Sequence, residues 1–232
     1  MNKDDVAIIL PALNEVGSVE SVVNGFLAEG VRVVLVDNGS TDGTASVAMR
    51  TRAEVVSEEK RGYGNACLAG LSYLTSRPPK IVAFADCDGT LDPHELHALI
   101  DPIEAGEADL VLGMRTQVEK GALPLHQRFG NMLTRTLLRF LYGLRIGDIP
   151  PYRACSWSFI AKLNLSEPTY GFPIETVAIS ARRGGRIKEV GVTYRRRLEG
   201  RSKVTGSLQS SLRAGGTMIM LTVALRFRRM RM

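Results

Sequence analysis

"IVAFADCDGTLDP", residues Ile81–Pro93, decides how the chain is read. An apolar run through Ala85 leads straight into Asp86 and Asp88, one residue apart, then a glycine and Asp-Pro. An unbroken apolar run is the pattern of a strand covered on both faces. Residues i and i+2 leaving a strand in extended form point the same way, so the two carboxylates would converge at its carboxyl end. The local alternative is that Asp88 opens an Asx turn and Asp86 caps a helix.

The same alternation runs outward from this stretch. "VAIIL" (6–10), "VRVVLV" (31–36), "AEVVS" (53–57), "KIVAFA" (80–85) and "ADLVLG" (108–113) read as strands. Helical spacing falls between them: residues 16–30 closing on Gly30, a helix from about Thr41, Gly64–Leu74, and "PHELHALIDPIEAG" (93–106). This β-α-β order predicts an α/β fold with a mostly parallel, doubly wound sheet. The second half is less regular. An amphipathic helix is expected over 128–144, a strand over "RACSWSFIAK" (153–162), and a helix over 174–185 closed by Gly184-Gly185. A late strand follows over 186–197, and then a C-terminal helix over 207–230 with basic flanks. Without repeats or a linker, 1–232 reads as one domain, with a nucleotide-binding half (1–115) and an acceptor half (116–232).

The chain has 232 residues, 44% of them hydrophobic, enough for one substantial core. Cys67, Cys87 and Cys155 show no C-x-x-C spacing, which points to reduced thiols and a cytoplasmic setting. "MNKDD" gives no signal peptide, and the apolar stretch Thr217–Leu225 is far shorter than the about 20 residues a span needs. The net charge of +6 gathers from Arg182 onward, in "RRGGR", "YRRRLEGRSK" and "RFRRMRM". Such a segment suits anionic lipid, a phosphorylated substrate or a solvated face. It shows neither aromatic interleaving nor a helix-turn-helix pattern, so nucleic acid is not an expected partner.

In an open parallel sheet, ligands bind beyond the carboxyl ends of the strands. "PALNE", "DNGSTDGT" and "DCDGT" stand there, and together they describe one site. "GYGNAC" (62–67) is a broken G-x-G-x-x-G that does not open the first β-α unit. No phosphate loop follows the first strand, which disfavours a nucleotidyltransferase, and "HELH" (94–97) is one residue short of H-E-x-x-H. Paired carboxylates at a strand end suit Mg²⁺ or Mn²⁺, which takes one or two of them together with water and phosphate.

"VAIILPALNE", "VVLVDNGSTDGT" and "FADCDGTLDP", in this order, resemble family 2 glycosyltransferases of GT-A fold, as do "RFGN", "GDIPPYRA", "GFPIE" and "GRSKV" further on. The nearest likeness is to dolichol-phosphate mannose synthases and bacterial polyprenyl-phosphate glycosyltransferases. That resemblance implies an inverting, metal-dependent transfer from a nucleotide diphosphate sugar, UDP- or GDP-linked. It places Pro11, Ala12, Asn14, Glu15, Asp37, Gly39, Ser40, Gly64 and Cys87 around the donor, with Asp86 and Asp88 holding the metal on its diphosphate. Asp42 is expected to cap the following helix. Where relatives carry two acids, this chain has Asp37-Asn38, and where mannose synthases carry glutamine it has Thr90. Arg128, Arg153, Arg201 and Lys203 would gather on an acceptor phosphate, which is already ionised and needs positioning more than deprotonation. A hydroxyl acceptor would need a base, with Glu175 first and Asp148 second. The preferred acceptor is a polyprenyl phosphate at the inner membrane face. A small soluble acceptor, and a non-catalytic sugar-nucleotide-binding module, stand as alternatives. For the C-terminal helix three roles are open: lying on lipid at the membrane periphery, packing on its own domain, or joining a homodimer.

Overall fold

A computed structural model describes residues 5–122, 125–199 and 208–228. The strands are β1 (Val6–Ala12), β2 (Arg32–Asp37), β3 (Glu54–Ser57), β4 (Ile81–Phe84), β5 (Leu110–Val118), β6 (Arg153–Ser156) and β7 (Ile187–Tyr194). The helices are α1 (Val19–Ala28), α2 (Thr44–Ala48), α3 (Tyr63–Leu74), α4 (Leu96–Glu104), α5 (Leu125–Tyr142), α6 (Trp157–Ile160), α7 (Phe172–Arg182) and α8 (Leu208–Phe227).

One seven-stranded sheet holds them in the order β3-β2-β1-β4-β6-β5-β7. β3, β2, β1 and β4 run parallel, β6 is antiparallel to both β4 and β5, and β5 and β7 are parallel. Two reversals restore the direction, so β5 and β7 deliver their carboxyl ends to the same edge as β1, β2 and β4. The mostly parallel α/β sheet expected from the sequence is the one observed.

The apolar runs are continuous because each strand feeds two cores. Ile8, Leu10, Val33, Leu35 and Ala83 face α1 and α4, where they meet Val23, Phe26, Leu99 and Ile100. Their neighbours Ala7, Ile9, Val34, Val36, Val82 and Phe84 face the other way, toward Cys67, Leu74, Leu138, Phe172, Val177 and Leu225 of α3, α5, α7 and α8. A half-solvated strand would have left one of these alternating sets polar.

Three local expectations are corrected. The strand expected over 153–162 ends at Ser156, because its partner β4 begins at Ile81, opposite Ser156 in the register. Trp157 N–H then donates to the Lys80 carbonyl at 2.8 Å and the chain turns into α6. The helix expected from Thr41 starts at Thr44, since Asp42 and the left-handed Gly43 (φ 93°) form a turn first. β5 continues past Gly113 to Val118, paired along its length with β7 through an irregularity between Arg115 and Gln117.

Candidate active site

The order β2-β1-β4 sets three strand ends side by side, with Ala12 opposite Asp37 in the register. The loops after β1 and β2 are laced together. Asn14, in a left-handed conformation (φ 51°), donates its N–H to Ser40 Oγ at 2.9 Å, and its Oδ1 accepts from Thr41 N–H at 2.8 Å. Glu15 N–H donates to Thr44 Oγ1 and Val16 N–H to Asp42 Oδ2. Asp42 also accepts from the N–H and hydroxyl of Thr44, holding the turn ahead of α2. Pro11 and Ala12 end β1 beneath these loops.

Asp37 is buried at the end of β2 and receives Ser40 N–H at 3.3 Å on both carboxylate oxygens. Asn38 turns away from it. The Asn38 amide donates to the carbonyls of Glu58 and Lys60, and its oxygen accepts from Gly62 N–H. An aspartate could not supply those two donors, so the departure from a second acid at this position is accounted for by the loop it staples. That staple sets Arg61 beside Gly39 (φ 76°), where an added Cβ would stand 3.3 Å from Arg61 Nε. Arg61 thus covers the Asp37–Ser40 turn, and the sequence reading had passed over it.

Gly64 is pressed elsewhere. A Cβ there would collide with the Glu167 carbonyl, and Gly64 and Asn65 N–H groups donate to the carbonyls of Thr169 and Pro168. The N–H groups of Gly64 and Asn65 in the first turn of α3 are therefore satisfied by protein, while Gly62 of the same stretch is tied to Asn38 at the end of β2. The Cys87 side chain is buried in the core with Ala85 and Leu91, and its carbonyl accepts from Ser18 Oγ at 2.8 Å.

At the end of β4, Asp88 Oδ1 accepts from Thr90 N–H at 3.0 Å and Thr90 Oγ1 at 2.7 Å, the Asx turn raised as an alternative. Its other oxygen remains outward and meets Arg197 Nη2 at 2.9 Å. Arg197 Nη1 reaches both oxygens of Glu15, at 2.7 and 2.9 Å. A single guanidinium thus lies between the carboxylates of the first and third loops. Burial, then the neighbouring Asp88, raise the Asp86 carboxyl above the usual carboxylate range, against the opposing pull of Arg197, Arg153 and Arg115. Two carboxylates forced together, one holding its proton unusually well, form a donor set that suits a hard divalent cation.

Arg153, expected on the acceptor phosphate, is completely buried. Its guanidinium lies 5.4 Å from the Phe84 ring centroid and 5.5 Å from that of Phe172. Nη2 approaches Tyr63 Oη at 3.4 Å, while Nε and Nη1 have no hydrogen-bond partner among the described residues. Arg201, Lys203 and the side chain of Arg128 lie outside the described residues.

Both candidate bases are fully engaged. Asp148 holds Arg115 through two contacts of 2.6 and 2.7 Å and also accepts from Asn131 Nδ2 and Ile149 N–H. Burial pushes its carboxyl up, but the contacts from Arg115 and the Ile149 N–H outweigh that and hold it below the ordinary value. Asn131 and Asp148 thereby join the "RFGN" and "GDIPP" motifs. Glu175 accepts from the N–H groups of Ser166 and Glu167 and from Arg228 Nη1 at 2.7 Å, so it fastens a loop and α8 to α7. Arg115 and Arg197, which the reading did not single out, follow from topology. β5 and β7 end on the site edge, and Arg115 sits 5.2 Å over the Tyr194 ring. Applying the strand-end rule to those two strands would have found them.

Residues 7–162 match the family model described as glycosyl transferase family 2. An uncharacterised glycosyltransferase of Mycobacterium tuberculosis is 38% identical over 212 residues, spanning 91% of this chain and 95% of that protein. The polyprenol monophosphomannose synthase of Mycolicibacterium smegmatis is 32% identical over 216 residues, spanning 86% and 81%. Among solved structures, glucosyl-3-phosphoglycerate synthase from M. tuberculosis, in complex with Mn²⁺, UDP and phosphoglyceric acid, superposes with a TM-score of 0.76 at 24% identity, covering 97% of this chain and 79% of that one.

Proposed function

Because the chain belongs to glycosyl transferase family 2, we propose that it transfers one sugar, with inversion, from a UDP- or GDP-linked donor to an acceptor that already carries an ionised phosphate, a polyprenyl phosphate foremost. The observation that carries this reading is the state of the two candidate bases. Glu175 and Asp148 have their lone pairs taken by N–H donors and arginines, and Asp148 is held ionised. An acceptor hydroxyl would find no free base in either. A phosphate oxygen needs none; it needs positive charge to hold it, and Arg197, Arg153 and Arg115 all act on the Asp86 end of the site.

The loops divide the work. Asp37 and the Asn14–Ser40 lacing shape the nucleoside end, with Arg61 over the Gly39 turn. Asp86 and Asp88 fit Mg²⁺ or Mn²⁺, and the bound ion would offset charge on the donor diphosphate. Arg197 stands beside them as a further cation for the diphosphate. The acceptor oxygen forms its bond to the anomeric carbon as the bond from that carbon to the diphosphate breaks on the opposite face. One displacement accounts for the inversion.

A polyprenyl phosphate is preferred because the relatives include polyprenol monophosphomannose synthase and a dolichyl-phosphate hexose transferase of Haloferax volcanii, the latter 34% identical over 200 residues. A small soluble phosphate is the second reading, favoured by the phosphoglyceric acid bound in the superposed synthase. The test is radiolabelled sugar transfer by purified protein with Mn²⁺, offering in parallel a polyprenyl phosphate, the matching polyprenol and 3-phosphoglycerate. Transfer to the polyprenyl phosphate but not to the alcohol is expected, and it should stop in EDTA. Transfer to 3-phosphoglycerate supports the reading only where the sugar is found on the phosphate and not on the C2 hydroxyl. Full-rate transfer to the polyprenol would sink the ionised-acceptor reading.

A further inference from the structure

The outer faces of α5 and α8 carry an apolar surface that neither the core nor the site absorbs. α8 turns Thr222 and Leu225 inward, with Met218 and Leu221 against the same core. Met220, Val223, Ala224 and Phe227, at helical spacing i, i+3, i+4 and i+7, are left exposed. α5 buries Thr134 and Leu138 and exposes Met132, Thr136 and Phe140, spaced by four. Both helices pack on one core layer through Leu138, Tyr142, Met218, Leu221 and Leu225, and Tyr142 Oη donates to the Thr222 carbonyl. Their outward stripes therefore look away from the same side of the sheet. Phe140 is 80% exposed, Met220 72% and Phe227 78%, a density of large apolar groups that a solvated surface does not need.

Neither helix carries an acid, and the carboxylates nearest them on the α7 side, Glu167 and Glu175, are already engaged, Glu175 by Arg228. No acid occurs between Lys120 and Gly147, nor after Glu199. Arg139, Arg145 and Arg226 are exposed on or beside the two helices. A second copy docked through this face would bring Arg139, Arg145 and Arg226 against their own copies with no acid on either helix to pair them, which opposes association. An anionic bilayer supplies what is missing, with headgroup charge for the arginines and acyl chains for Phe140, Met220 and Phe227. No helix among the described residues is long and apolar enough to cross a membrane, so the contact is one of lying on the surface.

We propose that the α5–α8 face docks on an anionic lipid bilayer. This goes beyond the acceptor reading and does not need it, so the test omits polyprenyl phosphate. Purified full-length protein is sedimented with vesicles of phosphatidylcholine alone or mixed with phosphatidylglycerol. Binding to the mixed vesicles at low salt, released by added salt as the headgroup charge is screened, is expected. Phe140→Glu with Phe227→Glu should cut the bound fraction at least tenfold at unchanged Tm, because both side chains already stand in water. Arg139→Gln with Arg226→Gln should lose mainly the salt-sensitive part. Absence of vesicle binding, equal binding to both vesicle types, or insensitivity to the Phe140/Phe227 pair would overturn the proposal. So would a concentration-dependent dimer that the same pair abolishes, since the face would then belong to a second copy. Sugar transfer to a detergent-solubilised polyprenyl phosphate in a protein that ignores vesicles would leave the acceptor reading standing and sink this one alone.

Discussion

Asp86 carries the clearest pH consequence in the molecule. Burial and the charge of Asp88 raise its carboxyl, so the protonated form persists above the ordinary carboxylate range near about 4. A divalent ion binds the carboxylate, so the proton competes with it. Mn²⁺-dependent nucleotide binding should therefore strengthen as pH rises from that range through the raised value, then level off. The sign for stability is the reverse. A raised folded-state value favours the protonated form, so its contribution is full below the unfolded value and is lost as pH rises through the folded one. Calorimetric Mn²⁺–nucleotide affinity against pH checks the first effect, and Asp86→Asn should flatten the profile. A profile just as steep in that variant would mean another group sets it. Asp86 was legible in the sequence because a strand run ends on it. Asn38 was legible only as an oddity, because its three partners lie on the loop from Glu58 to Gly62, which no local pattern links to it.

At the scale of elements, local periodicity exposed the apolar runs of β1, β2 and β4, whose alternate residues both meet buried partners. It failed where pairing decides the boundary. β6 stops because β4 has no residue left to pair with, and β5 runs on because β7 does. Ending β5 at Gly113 left Arg115 in an imagined loop. The resemblance makes Glu175 of "GFPIE" a base for a hydroxyl acceptor; in the fold its carboxylate also clasps the first turn of α7 to Ser166, Glu167 and Arg228. Removing it strands two N–H donors, so Glu175→Ala should cost about 1–3 kcal/mol of stability. Arg228→Ala should cost less than about 1 kcal/mol, since its head is half-exposed. Thermal melts paired with kcat separate a clasp from a base. A clasp shifts Tm in Glu175→Gln and leaves kcat within a few-fold, whereas a base would do the opposite.

The whole molecule gathers its site from both ends of the chain. Two antiparallel steps around β6 return β7 to the common direction, and the residues after it cross to the loops of β1 and β4. Leu198 N–H donates to the Asp88 carbonyl, and Arg197 joins Glu15 to Asp88 across a separation of 182 residues from Glu15. Sequence alone presents Arg197 as one of three consecutive arginines, and only the topology distinguishes it. Its position has opposite consequences for the two halves of the donor. Toward a bare cation it is a competitor, since it occupies the outward oxygen of Asp88 and adds a like charge. Toward a nucleoside diphosphate it is a partner, because a guanidinium grips phosphate oxygens in the same fork it now offers to carboxylates. Arg197→Ala should therefore raise the affinity for Mn²⁺ alone, by about tenfold if roughly 1.4 kcal/mol of repulsion and competition is removed. The same change should weaken UDP or GDP binding in saturating Mn²⁺ by a similar factor. Titrating Mn²⁺ by its EPR signal gives the first quantity and calorimetry gives the second. If both affinities fall together, the guanidinium only supports the loops; if neither moves, its bridge between Glu15 and Asp88 has no bearing on the donor.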